Sequence, residues 1–260
     1  MKVVIFCGGT GMRMKEYSDV IPKPMVEIGN RPILWHLMRY YAHYGHTEFI
    51  LCLGHMGDVI KKYFLNYAEW LSNDFTLTHG GKDMTLFTTD ISDWTITFID
   101  TGIKTNIGER LSIVRENLAD EPVFMANYAD GLTDLCLPDY IQFFKERDKI
   151  ASFLSVRPSQ SFHIVETASD GHVTDIYPVQ KSNMWVNGGF FIFKREIFDY
   201  IREGEELVLE PFQRLIAAEE LITYRHTGFW AGIDTFKEKQ MFDDMYVSGK
   251  RPWAVWRAKS

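Results

Sequence analysis

Apolar positions along the chain fall into short runs with two periods. Residues 2–7 (KVVIFC) are a continuous β-branched run that breaks into Gly8-Gly9-Thr10-Gly11, the pattern of a buried parallel strand ending in a loop. From Pro32 to about Tyr44 apolar residues recur at helical spacing, with Pro in the first turn and Gly45 as C-cap. A strand is predicted over Glu48–Leu53, a helix from Gly57, an alternating strand over Trp94–Ile99 and a buried strand over Glu121–Ala126. The rhythm continues with a helix over Pro138–Glu146 and a strand over Ala151–Val156. Residues 163–177 read as two short strands joined through Ser169-Asp170-Gly171, an antiparallel insertion. A strand over Gly189–Phe193 and helices over Ile197–Ile201 and Pro211–Glu219 follow. Strands alternating with helices predict an α/β fold: a mostly parallel sheet flanked by helices, with that small insertion and a C-terminal extension. No Pro-, Gly- or Ser-rich linker divides the chain, so a single domain over residues 1–260 is expected.

Composition narrows the functional classes. Lys and Arg total 28 against 35 Asp and Glu, a net charge of −7 that argues against nucleic acid or an anionic membrane as partner. Any phosphate site must then be local. Cys7, Cys52 and Cys136 form no CxxC or metal-ligand pattern, and no run approaches a membrane span or a signal-peptide core, so a reduced, cytoplasmic setting is expected. The histidines show no HxxxH or HxH spacing, and His36, His43 and His46 are expected to be packing or surface residues.

The segment from Phe6 to Met25 carries the chemistry. Three glycines within Gly8–Gly11 let backbone approach a ligand closely and leave N–H groups free for an anion. A P-loop fails because Met12-Arg13 follows the glycines, and a dinucleotide fingerprint fails because the second strand ends LCLGH without an acidic residue. What remains is a loop carrying Arg13 and Lys23, two cations able to reach a polyphosphate, or else a tight turn with two solvated bases.

GGTGMRM followed by IPKPMVEIGNRPILWHLMRYY resembles the opening of the sugar-1-phosphate nucleotidylyltransferases, whose pattern is GGxGTRL then PKPM. The similarity runs nearly end to end, through Asp100-Thr101-Gly102, Tyr128-Ala129-Asp130-Gly131, Asn187-Gly188-Gly189-Phe190-Phe191, Gly228-Phe229-Trp230, Asp234-Thr235 and Pro252-Trp253. The resemblance implies a Rossmann-like fold, residues 1–150 forming the nucleotide-binding half and 151–260 the sugar-phosphate half and tail. It further implies a homo-oligomer, and transfer of CMP from CTP to a sugar 1-phosphate, α-D-glucose 1-phosphate foremost, with pyrophosphate released. Another phosphate or phosphonate acceptor, UTP or dTTP as donor, and a nucleotide-binding regulator without catalysis stay open as alternatives.

Site roles follow from the same resemblance. Gly8, Gly9, Thr10, Gly11, Met12, Arg13, Lys23 and Arg110 would hold the nucleotide, Arg13, Lys23 and Asp130 being catalytic. Asp130 and Asp234 would hold Mg²⁺, which asks for only one or two carboxylates beside substrate phosphates. Without the resemblance, Asp130 reads equally as a turn residue, Asp234 as a helix N-cap and Arg110 as a surface residue. Asn187 and Gly188 would face the sugar. The tail Trp253-Ala254-Val255-Trp256 either covers the core or builds a subunit interface. Two departures stand out. Met12 replaces the usual Thr, and the Glu-Lys-Pro expected before Asn187 is absent, leaving Lys181 in the sequence Asp175–Lys181 as the nearest replacement for the cation that meets the sugar phosphate.

Overall fold

A computed structural model describes residues 1–9, 21–158 and 162–257. The N-terminal run becomes strand β1 (Val3–Phe6), every residue of which is buried because both faces of the strand are covered. Val3 and Ile5 point into one core layer and Val4 and Phe6 into the other, the two-residue period dividing one strand between two apolar clusters. Two short strands, β2 (Glu27–Ile28) and β3 (Arg31–Pro32), lead into helix α1 (Ile33–His43), with Pro32 at the N-cap. Gly45 stands past its C-terminus at φ +81°, where a residue with a Cβ would be strained. Strand β4 (Glu48–Leu53) and helix α2 (Gly57–Leu65) follow.

An excursion then carries the hairpin β5 (Phe75–Thr78) and β6 (Asp83–Leu86) before strand β7 (Thr95–Asp100), helix α3 (Ile107–Ile113) and strand β8 (Val123–Tyr128). Beyond these lie β9 (Gly131–Thr133), α4 (Leu137–Arg147), β10 (Ala151–Val156), the hairpin β11 (His163–Thr167) and β12 (Val173–Pro178), then β13 (Val186–Asn187) and β14 (Phe191–Lys194). The chain finishes with helix α5 (Glu210–Ala217), strands β15 (Leu221–His226) and β16 (Trp230–Gly232), and helix α6 (Phe236–Val247).

Among the described residues, eight strands form the main sheet. Across it β15 lies beside β10, β10 beside β13 and β14, and β14 beside β8, after which come β1, β4 and β7. The pairs β1–β4, β1–β8, β4–β7 and β10–β15 are parallel; β13 and β14 run the other way. The C-terminal ends of β1, β4, β7, β8, β10 and β15 therefore meet at one edge, where open α/β sheets place their ligands. The expected antiparallel insertion is the β11–β12 hairpin.

The predicted elements are found with ends shifted by at most two residues, except that the helix expected over Ile197–Ile201 is a 3-10 helix at Arg195–Asp199. The strands not foreseen were β2, β3, the β5–β6 hairpin, β9, β13, β15 and β16. The β5 and β6 sequences, FTLT and DMTL, do alternate, but over only four residues each, and all but Leu86 are exposed, so no buried face marks them as strands. The tail folds back over α1: Trp253, 1% exposed, packs on Phe229, Phe242 and His36, and Trp256 meets Trp35 and His36. No helix among the described residues is long and apolar enough to cross a membrane.

Candidate active site

Where β1 stops, Cys7 still donates its N–H to Cys52 (2.9 Å), and the chain then leaves the sheet through Gly8 and Gly9. The guanidinium of Arg110 fills the space beneath. A methyl group on Gly8 would stand 2.1 Å from its Nη1, and one on Gly54 would lie 3.0 Å from the Gly8 Cα. Glycines after β1 and β4 thus make room for an arginine presented by α3. Arg110 is 1% exposed and donates to the Leu53 carbonyl (3.0 Å), Thr101 Oγ1 (2.6 Å) and the Ile103 carbonyl (3.5 Å).

Among the described residues no carboxylate comes within ion-pair distance of Arg110, and its Nε has no hydrogen-bond partner. Burial pulls its pKa below the ordinary arginine value, yet a guanidinium remains protonated in protein. An uncompensated buried charge is costly, so an anion seated on Gly8 and Gly9 would relieve it. The arginine is therefore neither a surface residue nor exposed to the cleft. It underlies the loop.

Lys23 opens a 3-10 turn, Lys23–Met25, fixed by Pro22 before it and Pro24 within it. Its ammonium donates to Asp234 Oδ1 (2.6 Å) and to Asp130 Oδ2. The two aspartates are distant in sequence and are joined by a small ladder. β9 pairs antiparallel with β16, Gly131 opposite Gly232, and the Ile233 N–H reaches the Asp130 carbonyl (3.0 Å). Asp130 thus stands just before one strand and Asp234 just after the other, at the same end of the pair. Asp234 is not the helix cap that it suggests in isolation. Thr235 caps α6 in a capping box with Glu238, whose carboxylate also accepts from the Asp234 N–H (2.7 Å). Burial alone would lower the Lys23 pKa, but the Asp130 and Asp234 carboxylates outweigh it and hold the lysine above its ordinary value.

Lys23, Asp130, Gly8 and Gly9 share the wall of a cavity of about 110 Å³ with Tyr128 and Ile107. That volume suits a phosphate group rather than a nucleoside. Thr10, Gly11, Met12 and Arg13 lie outside the described residues. On the other side of Tyr128, the exposed Asn187 amide points its Nδ2 at the Tyr128 hydroxyl (3.5 Å) and accepts from the Gly189 N–H (2.9 Å). Gly188 is packed within the sheet, its carbonyl taking the indole N–H of Trp230 (2.9 Å). Lys181 is exposed at the end of the 3-10 turn after β12 and forms no part of the cavity wall. Tyr128 and Trp230 were visible in sequence only as motif members, because what matters is the groups they touch.

No set of three or more His, Cys, Asp or Glu side chains suited to a metal exists among the described residues. The pair Asp130 and Asp234 nevertheless fits Mg²⁺: two hard oxygen donors, already gathered around one cation, the Lys23 ammonium, with phosphates to complete the coordination. Cys7 and Cys52 offer no nucleophile, since burial pushes the Cys7 thiol up and that of Cys52 to about 12.

The family model for nucleotidyl transferases matches residues 2–238. The chain belongs to that family. It is 37% identical over 258 residues, 98% of this chain and 100% of the relative, to the probable glucose-1-phosphate cytidylyltransferase of Bacillus subtilis. It is 36% identical, at the same coverage, to the glucose-1-phosphate cytidylyltransferase of Salmonella typhimurium. Among solved structures, a putative glucose-1-phosphate thymidylyltransferase from Bacillus anthracis superposes with a TM-score of 0.66 at 17% identity, covering 95% of each chain. A UDP-glucose pyrophosphorylase complexed with UDP-glucose gives a TM-score of 0.68 at 13% identity, over 96% of this chain and 99% of that one. At such identity the two structures speak for the fold of this nucleotidyl transferase alone.

Proposed function

We propose that this nucleotidyl transferase moves CMP from CTP to α-D-glucose 1-phosphate, giving CDP-glucose and pyrophosphate. Full-length relatives at 36–37% identity bear the name of that activity. The observation that carries the chemistry is the meeting of Lys23, Asp130 and Asp234 beside Gly8 and Gly9, above an arginine that lacks a carboxylate partner.

An oxygen of the acceptor phosphate attacks the α-phosphorus in line, the bond from that phosphorus to the bridging oxygen breaks, and pyrophosphate leaves with the electron pair. No covalent enzyme intermediate is required, because positioning and charge neutralisation supply the catalysis. The amides of Gly8 and Gly9 hold phosphate oxygens, and Lys23 and the buried Arg110 neutralise them. Asp130 and Asp234 would hold Mg²⁺, which when bound neutralises charge on the reacting phosphates. Asn187 and the Tyr128 hydroxyl face the acceptor, where an amide beside a phenol suits sugar hydroxyls.

Pyrophosphate release measured with CTP, UTP and dTTP against a panel of sugar phosphates is expected to be fastest for CTP with glucose 1-phosphate. A faster pair would replace this substrate assignment. Asp130→Asn should retain the fold and lower turnover by about 10²-fold or more. Near-normal turnover in that folded variant would remove Asp130 from the reaction.

A further inference from the structure

The Lys23 ammonium donates to Asp130 Oδ2 and Asp234 Oδ1 at once, and so holds the position between the two carboxylates that a divalent ion shared by them would take. Ammonium and metal compete for that position. We propose that Lys23 is an internal counter-ion that keeps a divalent cation off the Asp130–Asp234 pair until a nucleoside triphosphate arrives to take the ammonium over. The inference rests on the reading of these aspartates as the metal ligands.

With Lys23 in place, the three side chains carry a net charge of about −1; without it they carry about −2, and affinity for a hard divalent ion rises with the charge of its oxygen ligands. Expelling the ammonium into water would sacrifice two charge-assisted hydrogen bonds with nothing in return. Moving it onto a phosphate replaces them. Lys23 can make that move: its side chain is 22% exposed, its four-carbon stem rotates, and it lines the same cavity as Gly8 and Gly9. The triphosphate therefore does two things together, bringing oxygens to complete the metal's coordination and a new partner for the lysine. Metal and nucleotide must strengthen each other's binding by the same factor.

The test uses Mn²⁺ as a paramagnetic probe, followed by electron paramagnetic resonance and water-proton relaxation, on the whole chain without acceptor. Wild-type protein alone should bind Mn²⁺ weakly, and CTP should bring about one Mn²⁺ per chain into the protein complex. Lys23→Met should bind Mn²⁺ without nucleotide at least about tenfold more tightly than wild type, and adding Asp130→Asn should abolish the gain. Lys23→Gln serves the same purpose if the methionine variant melts early. Equal nucleotide-free affinity in wild type and both lysine variants overturns the proposal while leaving the metal ligands in place, provided that the CTP complex still binds Mn²⁺. Absence of protein-bound Mn²⁺ in every sample, CTP included, overturns the metal assignment and the proposal together.

Discussion

Arg110 lies buried beneath Gly8 and Gly9, where the proposed phosphate site begins. Arg110 has no carboxylate partner to be left unpaired, so Arg110→Met loses chiefly the hydrogen bonds to the Leu53 carbonyl and Thr101 Oγ1 and should lower the melting temperature by only a few degrees. Loss of the positive field under Gly8 should weaken CTP binding by about tenfold or more, as read by calorimetric titration. A lower melting temperature with unchanged CTP affinity would make the arginine purely structural. Lys181 is the opposite case. It is exposed, where water screens any contact its ammonium makes, so Lys181→Ala should leave the Michaelis constant for glucose 1-phosphate within about twofold of wild type in steady-state kinetics. The glycines and Lys23 were legible because a strand end rich in glycine and a nearby cation form a local pattern. The contact of Lys23 with Asp130 spans 107 residues of sequence, and no periodicity records a partner that far away.

Among elements, α1 and the sheet strands other than β13 and β15 were legible since their burial imposes a period of two or of 3.6 on the sequence. The β9–β16 ladder was not. Each of its strands is three residues long, too short to establish alternation, yet it sets the distance between Asp130 and Asp234. Helix α6 fixes the second of these from its first turn. Thr235→Ala removes the hydroxyl that accepts from the Glu238 N–H and should cost about 1 kcal/mol of unfolding free energy in denaturant titration. Because Glu238 also holds the Asp234 N–H, the same change should lower kcat more than it raises the Michaelis constant for CTP. An intact kcat with the expected loss of stability would confine the capping box to a structural role.

At the scale of the molecule, the tail seals a titratable group. Trp253 closes over His36, whose pKa is held down at about 4 by burial, with the Ile28 carbonyl opposing and Arg251, Arg31 and Arg257 adding repulsion. Below pH 6.5 the unfolded chain takes up a proton that the native chain refuses. The contribution of His36 is therefore present above pH 6.5 and drains away as pH falls toward 4, about 2 kcal/mol being lost between pH 7 and 5. Melting temperatures across that range should fall less steeply in His36→Gln, which keeps a donor for Ile28; parallel curves would exclude the histidine. The ladder that joins Asp130 to Asp234 also has a consequence in time. About 100 residues separate the two carboxylates, which at ribosomal rates is roughly 5–20 s of synthesis. Throughout that interval the growing chain holds its glycines and its first aspartate but not the second, so the proposed metal site closes only when the last part of the chain has been made.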